Sequence, residues 1–164
     1  MEFLKSAGDA AAESPVSFEV FLGTVAGNSS PDAVKMVKAA EALPAFRLEQ
    51  ADHQRALFGR FAMNRKISLQ TPEGREFLTA SLIRLAKVNE YSTVMALQAL
   101  SSIDGMDQEY LAPVVKILAD LLASTDRKST PSVYNTTLRL LNGSPKGLAA
   151  YEKEYGGVPG LKNS

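Results

Sequence analysis

The sequence predicts an all-α domain of antiparallel helical hairpins stacked as a short HEAT-like superhelical array, and three observations carry that reading. Five times a hydroxyl residue stands immediately before a proline: Ser14-Pro15, Ser30-Pro31, Thr71-Pro72, Thr130-Pro131 and Ser144-Pro145. A Ser or Thr hydroxyl at an N-cap accepts an orphan backbone N–H, and the proline after it has no N–H to leave unpaired. Apolar residues then recur three and four positions apart, as one helix face requires. No run of period-two alternation stands out, so nothing points to a sheet. Helices with one apolar stripe must pack on neighbours, and stacked two-helix units satisfy this. A closed helical bundle satisfies it too and is the alternative, because the units share no internal sequence identity.

The elements follow in order. Residues 1–13 are small and polar and read as a flexible lead-in, partly helical around Ala10–Ala12. A single helical domain is expected over 14–155. Phe18, Phe21, Leu22 and Val25 give its first stripe; Val34, Val37 and Leu43 give a second, stopped near Pro44. Leu57, Phe58 and Phe61 mark a short helix beginning near Asp52, and Phe77, Leu78, Leu82, Ile83 and Leu85 a fourth. Val94, Leu97, Leu100 and Ile103 predict one helix closed by Gly105. Leu111, Val114, Val115, Leu118, Leu121 and Leu122 give the most apolar helix, with Asp107 as its cap. Tyr134, Leu138 and Leu141 mark a seventh, and Leu148, Tyr151 and Tyr155 an eighth. The glycines and proline of 156–160 end regular structure, and 156–164 is expected to be a flexible tail.

Composition narrows the function classes. Lys plus Arg equals Asp plus Glu at 18 each, so no basic excess points to nucleic acid or an anionic membrane surface. The chain has no cysteine, which excludes disulfides and thiolate metal sites. No apolar run approaches the roughly 18 residues of a membrane span, and the start lacks a signal-peptide core. A cytoplasmic location is expected.

No catalytic constellation assembles on paper, and no cofactor or metal is expected. His53 is the only histidine, so a zinc signature of two histidines is impossible. Its neighbours Glu49 and Asp52 suit the start of a helix, which gives His53 a surface or cap-region role. Gly143-Ser144-Pro145-Lys146-Gly147 looks like a phosphate loop but lacks the spacing and a preceding strand, so it reads as a helix-start turn. Arg55, Arg60, Arg65 and Lys66 read as a solvated face, and Met63 and Met95 as core filler.

The most distinctive text is Pro44-Ala45-Phe46-Arg47-Leu48, followed by Arg55-Ala56-Leu57-Phe58-Gly59-Arg60-Phe61. It resembles the C-terminal helical domain of the bacterial-type M1 aminopeptidase N, which reads His-Pro-Ala-Phe, Asn-Pro-Asn and Arg-x-Leu-x-Gly-x-Phe in the corresponding places. Pro31-Asp32-Ala33-Val34, Gly74, Phe77 and Leu78, Asn89, and Val133-Tyr134-Asn135 extend the likeness, which runs from about Phe18 to Leu141. The departures are Leu43 for the histidine, Gln50-Ala51-Asp52 for Asn-Pro-Asn, and Met95 where an arginine faces the family's inner channel.

The resemblance implies a helical array that in the family covers a separate zinc-bearing peptidase domain. Nothing equivalent to that domain is present in these 164 residues, and zinc catalysis needs it. The expected function is therefore a non-catalytic module that binds a protein or peptide. The polar residues Asn64, Arg65, Gln70 and Arg75 are the candidate contacts. A fragment or accessory domain of a zinc-dependent M1 aminopeptidase is the alternative, although Met1 ahead of a polar lead-in favours a free-standing chain.

Overall fold

In the computed structural model, which describes residues 1–161, the chain is helical almost throughout. Its helices are α1 (Glu2–Ala11), α2 (Pro15–Ala26), α3 (Ala33–Glu41), α4 (Ala51–Gln54), α5 (Arg60–Met63), α6 (Arg65–Ser68), α7 (Pro72–Val88), α8 (Glu90–Ala96), α9 (Gln108–Ala123), α10 (Pro131–Asn142) and α11 (Pro145–Tyr155). No strand occurs among the described residues. A π-helical turn, Arg55–Gly59, joins α4 and α5 into one continuous rod.

The helices stack in two layers. In one, α2, the α4–α5 rod, α8 and α10 follow each other; in the other, α1, α3, α7, α9 and α11 do so. Consecutive long helices alternate between layers, so neighbours within a layer run parallel. This is the stacked HEAT- or ARM-like array, and a continuous core runs between the layers from Leu4 to Val158. Phe58, Phe61, Leu22 and Leu57 are its largest fully buried side chains, each contributing about 1.5–3 kcal/mol by burial.

The rod shows how sequence sets local shape. Its buried residues come in pairs every four positions: His53 and Gln54, Leu57 and Phe58, Phe61 and Ala62. An ideal α-helix has 3.6 residues per turn, so a four-residue repeat drifts by about 40° each turn. The wider π turn removes that drift and keeps all three pairs facing the core. The same register turns Met63 outward, so the core role expected of it is corrected: Met63 is 50% exposed, and Met95 is 48% exposed.

His53 is also corrected. It lies at the start of the rod but is buried, not on the surface. Its ring sits 5.2 Å from Phe18 and 5.6 Å from Phe46. Nδ1 accepts the Arg47 N–H at 2.9 Å, while Gln54 Nε2 donates to Leu48 O at 2.7 Å. The Pro44–Leu48 text is thus a loop pinned to the rod, with Phe46 set edge-on against Phe58.

Two more expectations shift. The lead-in is a ten-residue helix, α1, whose Leu4 is buried in the core. The helix expected through Ile103 leaves α geometry after Ala96 and continues as two 3₁₀ turns, Leu97–Leu100 and Ile103–Gly105. A three-residue turn keeps Leu97, Leu100 and Ile103 in one line, and all three are buried. Of the expected tail, Val158 is buried against the core, and residues 162–164 lie outside the described residues.

Candidate functional site

The four sequence candidates sit around the corner where α5, α6 and α7 meet, and three of them bond to backbone carbonyls at helix ends. Asn64 Nδ2 donates to Ala26 O at 3.1 Å and Asn28 O at 2.8 Å, closing the end of α2. Arg65 Nε donates to Ala99 O at 3.1 Å in the 3₁₀ turn after α8. Arg75 Nη1 donates to Leu69 O at 2.9 Å, just past α6. The last carbonyls of a helix have no partner within it, so these side chains fill a structural need. The structure does not bring all four together. Arg65 and Gln70 border one hollow of about 330 Å³ with Ala99, Met106 and Asp107. Arg75 borders a different groove, between α7 and α9, with Glu76, Ile83, Lys116, Asp120 and Tyr155.

A larger trough, of about 600 Å³, lies between α2 and the α4–α5 rod. Val20 and Met63 line it, Gly23 and Gly59 form part of its floor, and Glu19, Asp52, Arg55 and Arg60 supply charge. Sequence reasoning missed this site because Val20 reads as one more residue of an apolar helix. The phase of the Arg55–Phe61 text was the available signal: with Leu57, Phe58 and Phe61 inward, Gly59, Arg60 and Met63 fall on the outer side.

The phosphate-loop lookalike is a helix start, as its spacing suggested. The Lys146 and Gly147 N–H groups are taken by the Asp104 carboxylate, at 3.1 and 2.8 Å. An anion there would meet that carboxylate first. Arg55, Arg60, Arg65 and Lys66 are all exposed. Burial lowers the pKa of His53, opposed by Glu19 and Asp52, so the ring is held neutral within the core. Among the described residues no cluster of three or more His, Asp or Glu side chains could hold a metal, and no helix is long and apolar enough to cross a membrane.

Residues 2–136 match the model of a family described as a domain of unknown function built of ARM repeats, DUF3458_C. The chain belongs to this family. It is a helical-repeat family associated with the C-terminal region of M1 aminopeptidases. No curated protein and no solved structure matches the chain. The family match spans α1 through the first half of α10, and so takes in α1, the pinned loop, the π-turned rod and both Arg65 and Gln70.

Proposed function

We propose that this domain is a non-catalytic binding module of the cytoplasm that holds a protein or peptide segment against its helical array. The supporting observation is the hollow at the α6 corner. Arg65 is anchored there through Nε, which leaves its terminal nitrogens without a partner among the described residues, and Gln70 lies beside it with no side-chain bond. Guanidinium and carboxamide groups recognise backbone carbonyls and carboxylates, the groups an extended peptide offers.

The test is binding of the purified chain to an array of short unstructured peptides. Selective binding that weakens about tenfold in Gln70→Ala, a loss of about 1.4 kcal/mol, supports the reading. Stoichiometric zinc with aminopeptidase turnover by the purified chain would sink it.

A second reading has its own support. The text that resembles aminopeptidase N is the loop and rod tied together by His53 and Phe46. On that reading the chain is a fragment or accessory domain of an M1 enzyme, with zinc held by a separate domain. A His-Glu-x-x-His segment in flanking or neighbouring coding sequence would move the weight there.

A further inference from the structure

The trough between α2 and the α4–α5 rod holds features that the fold itself does not call for. α2 is apolar on almost every face, the composition of a helix covered on all sides. Yet Val20, which lines the trough, is 63% exposed, and Val16, one helical turn before it, is 70% exposed. Met63 adds a third exposed apolar side chain at the far end. The floor is equally informative. A Cβ on Gly59 would meet nothing within 4 Å, and one on Gly23 only Ala56 O at 3.8 Å. Packing in this chain therefore requires glycine at neither position. Each nevertheless costs about 0.5–1 kcal/mol relative to alanine inside a helix.

The charges give the trough a direction. Because α2 and the rod run parallel, Glu19 and Asp52 lie where both begin and Arg60 where both finish. Arg60 and Glu19 have no ion-pair partner among the described residues, whereas Arg55 pairs with Asp52. A helix stabilised by its own dipole carries acid in its first turn and base in its last. Laid antiparallel to α2, such a helix would put its acid beside Arg60 and its base beside Glu19. We propose that this trough is a docking site for an α-helix of a partner protein, apolar along one stripe, acidic at its start and basic at its end, running antiparallel to α2.

A second copy of this chain is a poorer occupant. Two troughs placed face to face leave a gap where a ridge is needed. The exposed terminal helix α1 starts with Glu2 but has no basic residue in its last turn. The proposal rests on the protein-binding reading above but uses a different surface from the Arg65–Gln70 hollow.

The experiment titrates the full chain into a fluorescein-labelled, terminally blocked helical peptide with Glu in its first turn, a Leu and Ala stripe, and Lys in its last turn. A control peptide exchanges the Glu and Lys turns. The expected result is saturable binding, about five- to tenfold tighter for the first peptide. Gly59→Leu fills the floor without meeting a neighbour at Cβ, so it should leave helicity intact and abolish binding. The Glu19→Lys, Arg60→Glu double variant should reverse the preference between the peptides. Failure of both peptides to bind, equal affinity for the two, or indifference to Gly59→Leu overturns the proposal. Self-association of the chain that Val20→Lys disperses also overturns it, by giving the face to a second copy. Peptide binding lost in Gln70→Ala and kept in Gly59→Leu overturns the trough while leaving the proposed function standing.

Discussion

Helices α7 and α11 both open with a hydroxyl residue and a proline, but their first turns are closed by different means. At α7, Thr71 is extended, with ψ 142°, and its Oγ1 accepts the Gly74 N–H at 3.0 Å. At α11, Ser144 has ψ 62° and its hydroxyl turns back to donate to Leu140 O at 2.9 Å. The first-turn amides of α11 bond instead to Asp104, more than 40 residues away in the chain. α10 repeats the α11 solution: Thr130 has ψ 60°, and Glu90 at the head of α8 accepts the Val133 N–H at 2.9 Å. α2 repeats the α7 solution with Ser14, ψ 134°, over a longer bond of 3.5 Å. Of the four helices that open with a hydroxyl–proline pair, the two earlier ones thus close locally. The two later ones are closed by carboxylates from preceding units, so each of those caps also fastens one repeat to the next.

The most severe way to break the local arrangement is Gly74→Ala. A Cβ there would stand 1.8 Å from Ile67 O and 2.7 Å from Thr71 Oγ1, the backbone and hydroxyl that the cap uses. The backbone must move, and we expect a loss of at least about 3 kcal/mol in urea unfolding. Thr71→Ala, which deletes the cap and leaves the space, should cost only about 1 kcal/mol. Similar losses for the two would show that the close approach of α6 and α7 is not what demands glycine.

Asp104→Ala comes next. It strands the part-buried Gly147 amide, leaves the exposed Lys146 amide to water and removes a charge that suits the helix start, for an expected loss of about 2 kcal/mol. Asp104→Asn keeps one acceptor oxygen and should lose about half as much. Glu90→Ala strands one amide and should cost about 1–2 kcal/mol. Hydrogen exchange locates both effects. The Gly147 amide should exchange faster in the first variant and the Val133 amide in the second, each without a change at the Ser17 amide. If the Gly147 amide is unaffected by Asp104→Ala, the capping account of α11 is wrong.

The same caps mark how far the chain could be read from its letters. Four of the five hydroxyl–proline pairs stand at helix starts, because proline's φ and missing N–H are local properties. Ser30-Pro31 is the exception: it makes a turn, and α3 begins after Asp32. The carboxylate caps were illegible, since nothing in the spacing of Asp104 and Gly147 announces that they meet. The π turn was hidden for a related reason. The four-residue repeat that requires it begins with the polar residues His53 and Gln54, whose burial depends on bonds to Arg47 and Leu48. Of the candidate contacts, Arg65 and Gln70 share a hollow, while Asn64 and Arg75 bond to carbonyls that only the folded chain brings within reach.

The pinned loop is expected to respond to acid, through His53. His53 has a folded-state pKa below its ordinary value because burial disfavours the imidazolium, against the pull of Glu19 and Asp52 and with Arg47 opposing charge. Its unfolded value is about 6.5, so the unfolded chain binds the proton more readily. The stability it contributes is complete above that pH and falls as the pH drops through the interval down to the folded value. Protonation of Nδ1 also removes the acceptor for the Arg47 N–H. His53→Asn supplies an amide oxygen in place of Nδ1 and should flatten this part of the pH profile of urea midpoints. An unchanged slope in that variant would place the acid sensitivity elsewhere.

The smallest effect belongs to Ser14→Ala, and it tests the comparison at its weakest member. The bond to Ser17 N–H is long, it is exposed, and water can replace the hydroxyl, so the expected loss is only about 0.5 kcal/mol. Pro15 keeps its favourable φ, and Phe18 and Leu22 still hold α2 in the core. A Ser14→Asp variant distinguishes geometry from charge. If ψ 134° is what makes a local cap possible, aspartate should accept the same amide and, by its charge at the helix start, raise stability by a few tenths of a kcal/mol. The corresponding Ser144→Asp change should fail to stabilise α11. There ψ 62° turns the side chain away from the first-turn amides, and Asp104 already occupies them, so a second carboxylate would only repel the first. Equal gains at the two positions would mean that the backbone angle of the N-cap residue does not decide which helices cap themselves and which are capped by another repeat.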